Sequence, residues 1–263
     1  MTHIVRAELR RLARPRTLAL AGLFAVAFSV VATVAVFAAA TEPGVAPVGR
    51  GGVTLAELST TGGGTKAFAI GASFTGFFVF VTVIALMAGE FSGGTFRALL
   101  LREPRRLRLV TGKLVGVLVV AAGVVAVAEV STFVVSHLVA GGQGVGTSRW
   151  HDLPSMRAVV GDYATALAGV AGWAVFGTTL AVAFRSAPIA LGVGFAWAGP
   201  FENIVVDSWR TGYRVFPGQV LGSLMQGGSP ELALAPAALA ATAYAVLAGL
   251  LALTLVARRD VTA

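Results

Sequence analysis

Few residues in this chain combine the type and the spacing that chemistry demands. Its three histidines, His3, His137 and His151, stand far apart, and none forms the histidine pair beside a glutamate that zinc hydrolysis needs on a helix face. With no cysteine, neither a thiolate metal site nor a disulfide framework can form. Ser136 directly precedes His137, but adjacent helical residues do not face each other, and a Gly-x-Ser-x-Gly elbow is absent. Two Gly/Lys stretches fail as phosphate cradles. Lys66 is misplaced relative to Gly64, and Gly112-Lys113 runs into Leu114 without an upstream glycine. These residues predict a chain that is not an enzyme and binds no metal or cofactor, so that any ATP would be bound by another subunit.

Two other groups carry more promise. Glu129 is the one carboxylate within a long, firmly apolar run. A charge at the centre of a membrane helix costs about 3 kcal/mol, while each Leu, Val or Phe returns roughly 0.3 to 0.6 kcal/mol, so the segment still inserts. Sixteen residues beyond Lys113, Glu129 sits about 24 Å farther along a helix. It is a candidate polar point on a translocation path, or else a hydrogen-bonded packing residue. The second group is residues 89–113, with Glu90, Gly93, Gly94, Thr95, Arg97, Leu99, Pro104, Arg106 and Lys113 in that order. Gly93 and Gly94 permit a sharp turn, Thr95 can cap the helix that follows, and Ala98 to Leu101 offer an apolar face to a partner groove. Glu90 is expected to pair with the surrounding arginines, fixing the loop or breaking between states, or simply to neutralise Arg97.

The elements that must position these residues follow from composition. Of 263 residues, 56% are hydrophobic and 12% charged, whereas an ordinary soluble domain is roughly one quarter charged. The apolar residues gather into runs long enough to cross a hydrocarbon core of about 30 Å. Five spans are expected over Thr17–Ala40, Phe68–Ala88, Leu114–Leu138, Tyr163–Phe184 and Leu232–Val256. A sixth, Ala187–Val206, is interrupted by Pro200, Glu202 and Asn203. Charge placement argues for including it. With six crossings, fourteen Lys and Arg against four acidic residues fall on one side, and six against seven on the other. By the positive-inside rule both termini are cytoplasmic. The net charge of +8 is thereby a topology signal, and nucleic-acid binding is unnecessary to explain it. The Arg-rich start could also open a cleavable signal peptide, but its apolar run is too long for one and cleavage would spoil the charge balance.

Residues 1–16 read as an interfacial amphipathic helix, with Val5, Leu9 and Leu12 toward lipid and Arg6, Arg10 and Arg14 toward anionic headgroups. Residues 207–231 contain an apolar stretch, Val215 to Met225, too short to span, which lies on the outer interface or dips into the bundle. No internal repeat suggests an inverted-repeat transporter. The expected fold is all-α, a single polytopic permease domain over residues 1–263 with six transmembrane helices.

In the loop at 89–113 the chain resembles the type-2 ABC transporter permease family. That family shows a Glu at the end of the second span, a Gly-Thr, a Leu-rich stretch, then Pro, a basic residue and a Lys. Glu90, Gly94, Thr95, Leu99, Pro104, Arg106 and Lys113 fall on those positions. The resemblance implies the transmembrane subunit of an exporter, working as a homodimer or as a heterodimer with a similar permease. The loop would couple it to a separate ATPase subunit that holds ATP and Mg. Arg-rich, Ala-, Gly- and Val-rich composition suits a bacterial plasma (inner) membrane. A self-sufficient secondary transporter and a non-transporting membrane anchor or assembly subunit are the alternatives, and the substrate, whether drug, lipid or peptide, is not readable.

Overall fold

The computed structural model describes residues 2–42 and 52–258. Arg50, Arg259 and Asp260, which entered the charge balance, lie outside the described residues. The protein is 85% helical, with no strand among the described residues. Six helices are long and apolar enough to cross a membrane: Pro15–Ala39, Gly63–Ser92, Arg106–Gln143, Leu153–Phe184, Ala187–Ser208 and Leu234–Arg258. They are numbered here as spans one to six. A helix over Thr2–Leu12 precedes them, and Pro15 opens span one at a position where its missing N–H has no intrahelical partner to lose.

Span four is the centre of the bundle, packed most extensively against span two and then against span six; span one leans on span three. Lipid tails are as apolar as leucine, so these contacts depend on close approach between small residues. A methyl group added at Gly177 would lie 2.9 Å from the Phe80 carbonyl oxygen, and one at Gly76 would lie 2.4 Å from Trp173. The leucines and valines turned outward, such as Leu20, Val31 and Leu247, occupy the lipid-facing surface that such a bundle requires.

Two helices begin well before their expected limits. Span three begins at Arg106 and not Leu114, and span four at Leu153 and not Tyr163. Hydropathy detects only the apolar part, while the backbone goes on hydrogen-bonding through the polar flank. Lys113 therefore stands about two turns inside a helix instead of opening it. Span five crosses Pro200 without breaking, because Trp197–Phe201 widens into a π-turn that absorbs the missing N–H.

The segment between spans five and six dips into the bundle. Its helix Pro217–Met225 buries Val220, Leu221, Leu224 and Met225. Gly169 and Gly172 of span four provide the seat: an added Cβ would fall 2.1 Å from Met225 Cγ and 2.5 Å from Leu221 Cδ2. The same end of the molecule is closed by Phe37, Leu58 and Trp150, with the Trp150 indole donating to the Leu58 carbonyl at 2.9 Å.

Candidate functional site

At the opposite end, four charged side chains from three elements meet. Lys113 Nζ of span three donates to Glu8 Oε2 and to Glu90 Oε1, each at 2.8 Å. Arg11 donates to the same Glu90 oxygen and lies 3.6 Å from Glu8 Oε1. Two carboxylates and two cations balance, which allows Glu8, Glu90 and Lys113 to be only 6%, 6% and 4% exposed. Arg11 reaches outward to solvent. Burial draws its guanidinium down, but the hydrogen bond and charge of Glu90 and the charge of Glu8 more than offset this, and its pKa is raised.

The N-terminal helix reaches this position because span three is smooth there. A Cβ at Gly112 would fall 2.8 Å from Ile4 Cγ2, and one at Gly116 would fall 2.9 Å from Glu8 Cβ. Ile4 and Glu8 are thus the protein-facing residues of that helix, while Val5 and Leu9 line its groove toward Val115. The amphipathic reading turned Val5, Leu9 and Leu12 toward lipid and Arg6, Arg10 and Arg14 toward headgroups. It missed the Ile4, Glu8, Arg11 face, whose i, i+4, i+7 spacing was visible but mixed charge with apolarity.

The loop hangs from this cluster. Gly94 has φ +71°, a left-handed conformation in which it caps the helix Thr95–Arg102. Thr95 is consequently the first helical residue and not the cap; its hydroxyl turns back to the Glu90 carbonyl at 3.3 Å. Phe96 is buried, its ring tilted against Phe91 with centroids 4.3 Å apart, and the Arg185 guanidinium lies 5.8 Å from the Phe91 ring. Leu99 and Leu100 pack half-buried on the same small core, so the face expected over Ala98 to Leu101 is split. Arg97, Ala98 and Arg102 point to solvent with Leu101, which is 89% exposed. Pro104 is exposed in the bend before span three, and Arg106 is half-buried at that span's first residue. Glu90 has its ion pairs with Lys113 and Arg11, remote in sequence, rather than with the expected neighbour Arg97.

Glu129 belongs to a different place, far along span three from Lys113. It is buried, and its Oε1 has no hydrogen-bond partner among the described residues. Asp162 lies within electrostatic range and accepts from Thr65 Oγ1 at 2.7 Å. A cavity of only about 10 Å³ borders the neighbouring Ala128 and Thr132, enough for one water.

Two further groupings were not expected from the sequence. Glu202, fully buried in span five, accepts from Trp197 Nε1 at 2.7 Å and from the backbone N–H groups of Gly218 and Gln219, both at 3.2 Å. It satisfies the first N–H groups of the dipping helix, as a capping carboxylate does. His137 and His151, fourteen residues apart, come together at 3.1 Å between their Nε2 atoms.

No curated protein matches the chain. A family model described as "Protein of unknown function (DUF2705)" matches residues 54–262, which takes in spans two to six, the loop, Glu90 and Lys113 but not Glu8 and Arg11. The match extends over most of the chain, which belongs to the DUF2705 family.

Proposed function

We propose that this chain is the membrane permease subunit of an ABC-type exporter, moving a drug, lipid or peptide-like substrate across a bacterial inner membrane. A separate subunit would bind ATP with Mg and hydrolyse it, and two permeases, identical or similar, would enclose the pathway. The observation that carries this reading is the short helix Thr95–Arg102. It projects Leu101, Ala98, Arg97 and Arg102 outward, while its root is held by the Glu8, Arg11, Glu90, Lys113 cluster and by Phe96. A rigidly anchored helix with an unpartnered apolar tip and two arginines suits docking into a groove on a partner. The anchoring joins three elements, so a push on that helix would be delivered to the N-terminal helix and to spans two and three together.

The test is co-purification in mild detergent with a candidate ATPase encoded alongside this chain, comparing wild type with Leu101→Asp. Leu101 touches little of its own chain, so this change leaves the fold intact. Loss of the ATPase from the variant alone supports the docking helix. An equal yield of complex from both, or none from either, sinks it. A secondary transporter is the second reading, and it draws on Glu129 with its unpaired Oε1 and on the nearby Asp162. Transport that proceeds in vesicles holding this chain alone would favour it.

A further inference from the structure

We infer that His137 and His151 form a binding site for a borderline divalent transition cation, at the end of the bundle opposite the charge cluster. His137 lies in the last turn of span three, and His151 ends the short helical turn Ser148–His151 that leads into span four. Their Nε2 atoms are 3.1 Å apart. Two nitrogens about 2.05 Å from a shared ion lie about 2.9 Å apart at a right-angled bite and about 3.4 Å apart at a tetrahedral one. The observed separation falls between these values, so an ion could be gripped without moving either ring far.

The protonation pattern also favours a ligand. His137 Nδ1 is 2.9 Å from the Phe133 carbonyl, which can only accept, so Nδ1 carries the proton and Nε2 presents a lone pair. A backbone carbonyl that holds the far nitrogen in this way is the usual support of a metal-binding imidazole. His137 is clamped edge-on between Phe133 at 4.5 Å and Trp150 at 4.8 Å between centroids, and the buried Trp150 is tied to Leu58. One ligand is therefore fixed before binding. His151 is exposed at the surface. On binding, the His151 proton at Nε2 exchanges through water to Nδ1, so both imidazoles stay neutral and both donate to the ion. Solvent fills the remaining positions, which suits Cu²⁺, Ni²⁺ or Zn²⁺ rather than an oxygen-seeking Mg²⁺ or Ca²⁺. The ion would staple the connection 144–152 to the end of span three. This inference is independent of the proposed transport function.

The experiment uses the full chain in detergent without a polyhistidine tag and in a His3→Gln background. The chain has three histidines and no cysteine, so His137 and His151 are then its only imidazoles and it has no thiolate. Cu²⁺, the most tightly held of the series, is titrated and followed by electron paramagnetic resonance and by tryptophan fluorescence. The expected result is one Cu²⁺ per chain with imidazole-nitrogen coupling, quenching of Trp150, and a higher melting temperature. His151→Gln, a surface change, should weaken binding by about tenfold or more, and His137→Gln likewise. Absence of nitrogen-coupled Cu²⁺ overturns the site, as does equal affinity in the parent and His151→Gln. Circular dichroism confirms that each variant is folded; His151→Gln alone decides the matter if His137→Gln is not.

Discussion

Lys113→Met removes one cation from the buried cluster and keeps most of the side-chain volume. Glu8 and Glu90 each hold an oxygen 2.8 Å from the same Nζ, so these two oxygens are no farther apart than twice that distance. At an effective dielectric of about 20, two charges at such a separation repel by about 3 kcal/mol. Breaking buried pairs one-sidedly costs about 3–5 kcal/mol, which agrees with this figure. Arg11 still pairs with Glu90 and moderates the loss, so about 3 kcal/mol is expected. The double variant Lys113→Met with Glu8→Gln leaves Glu90 facing Arg11 alone and should recover about 2 kcal/mol. The assay is a double-mutant cycle on detergent-solubilised protein unfolded by sodium dodecyl sulfate, read by circular dichroism. Independent sites add to within about 0.5 kcal/mol. Additivity at that level would show that the three side chains do not share one buried network, and the anchoring argument for the loop would go with it.

Other outcomes follow from the same geometry. Gly116→Leu drives a side chain into Glu8 and should lift the N-terminal helix from span three; faster proteolysis after Arg10 or Arg11 would report it, and unchanged cleavage would contradict it. Gly169→Val should cost about 1–3 kcal/mol by unseating Met225, with increased hydrogen exchange confined mainly to residues 217–225. Glu202→Ala leaves Trp197 Nε1 and two backbone N–H groups without their acceptor and should cost about 3 kcal/mol, visible as a fall in melting temperature. Because the natural chain has no cysteine, single cysteines at Leu101 and Gly142 can be labelled with an impermeant maleimide. Only Gly142→Cys should react from outside intact cells; labelling of both or of Leu101→Cys alone would reverse the proposed topology.

The spans were legible because a hydrocarbon core imposes a length and an apolar character that any window of sequence can display. Span five shows the limit of that signal. Pro200 and Glu202 read as damage to a crossing, while in the fold one is absorbed by a π-turn and the other finds its acceptor role sixteen residues downstream. The loop was legible as a turn and a short helix through Gly94 and the leucines, yet the division of that helix into an inner face, Phe96, Leu99 and Leu100, and an outer one needed the core beneath it. Glu90 was identified as important from its place, but its partners were not, since Arg11 lies 79 residues away along the chain. The histidine pair was hidden similarly: Trp150 folding back onto Leu58 brings His151 to His137, and no local pattern encodes that return.

Glu202 ties two pieces that the sequence separates. One of its oxygens holds the Trp197 indole in its own span, and both reach the opening turn of the helix Pro217–Met225. Tilting span five must carry that helix along or strip a carboxylate of its donors in a medium with no water to replace them. The crossing and the helix Pro217–Met225 are therefore held as one piece through a single side chain, and neither can shift alone without breaking these hydrogen bonds.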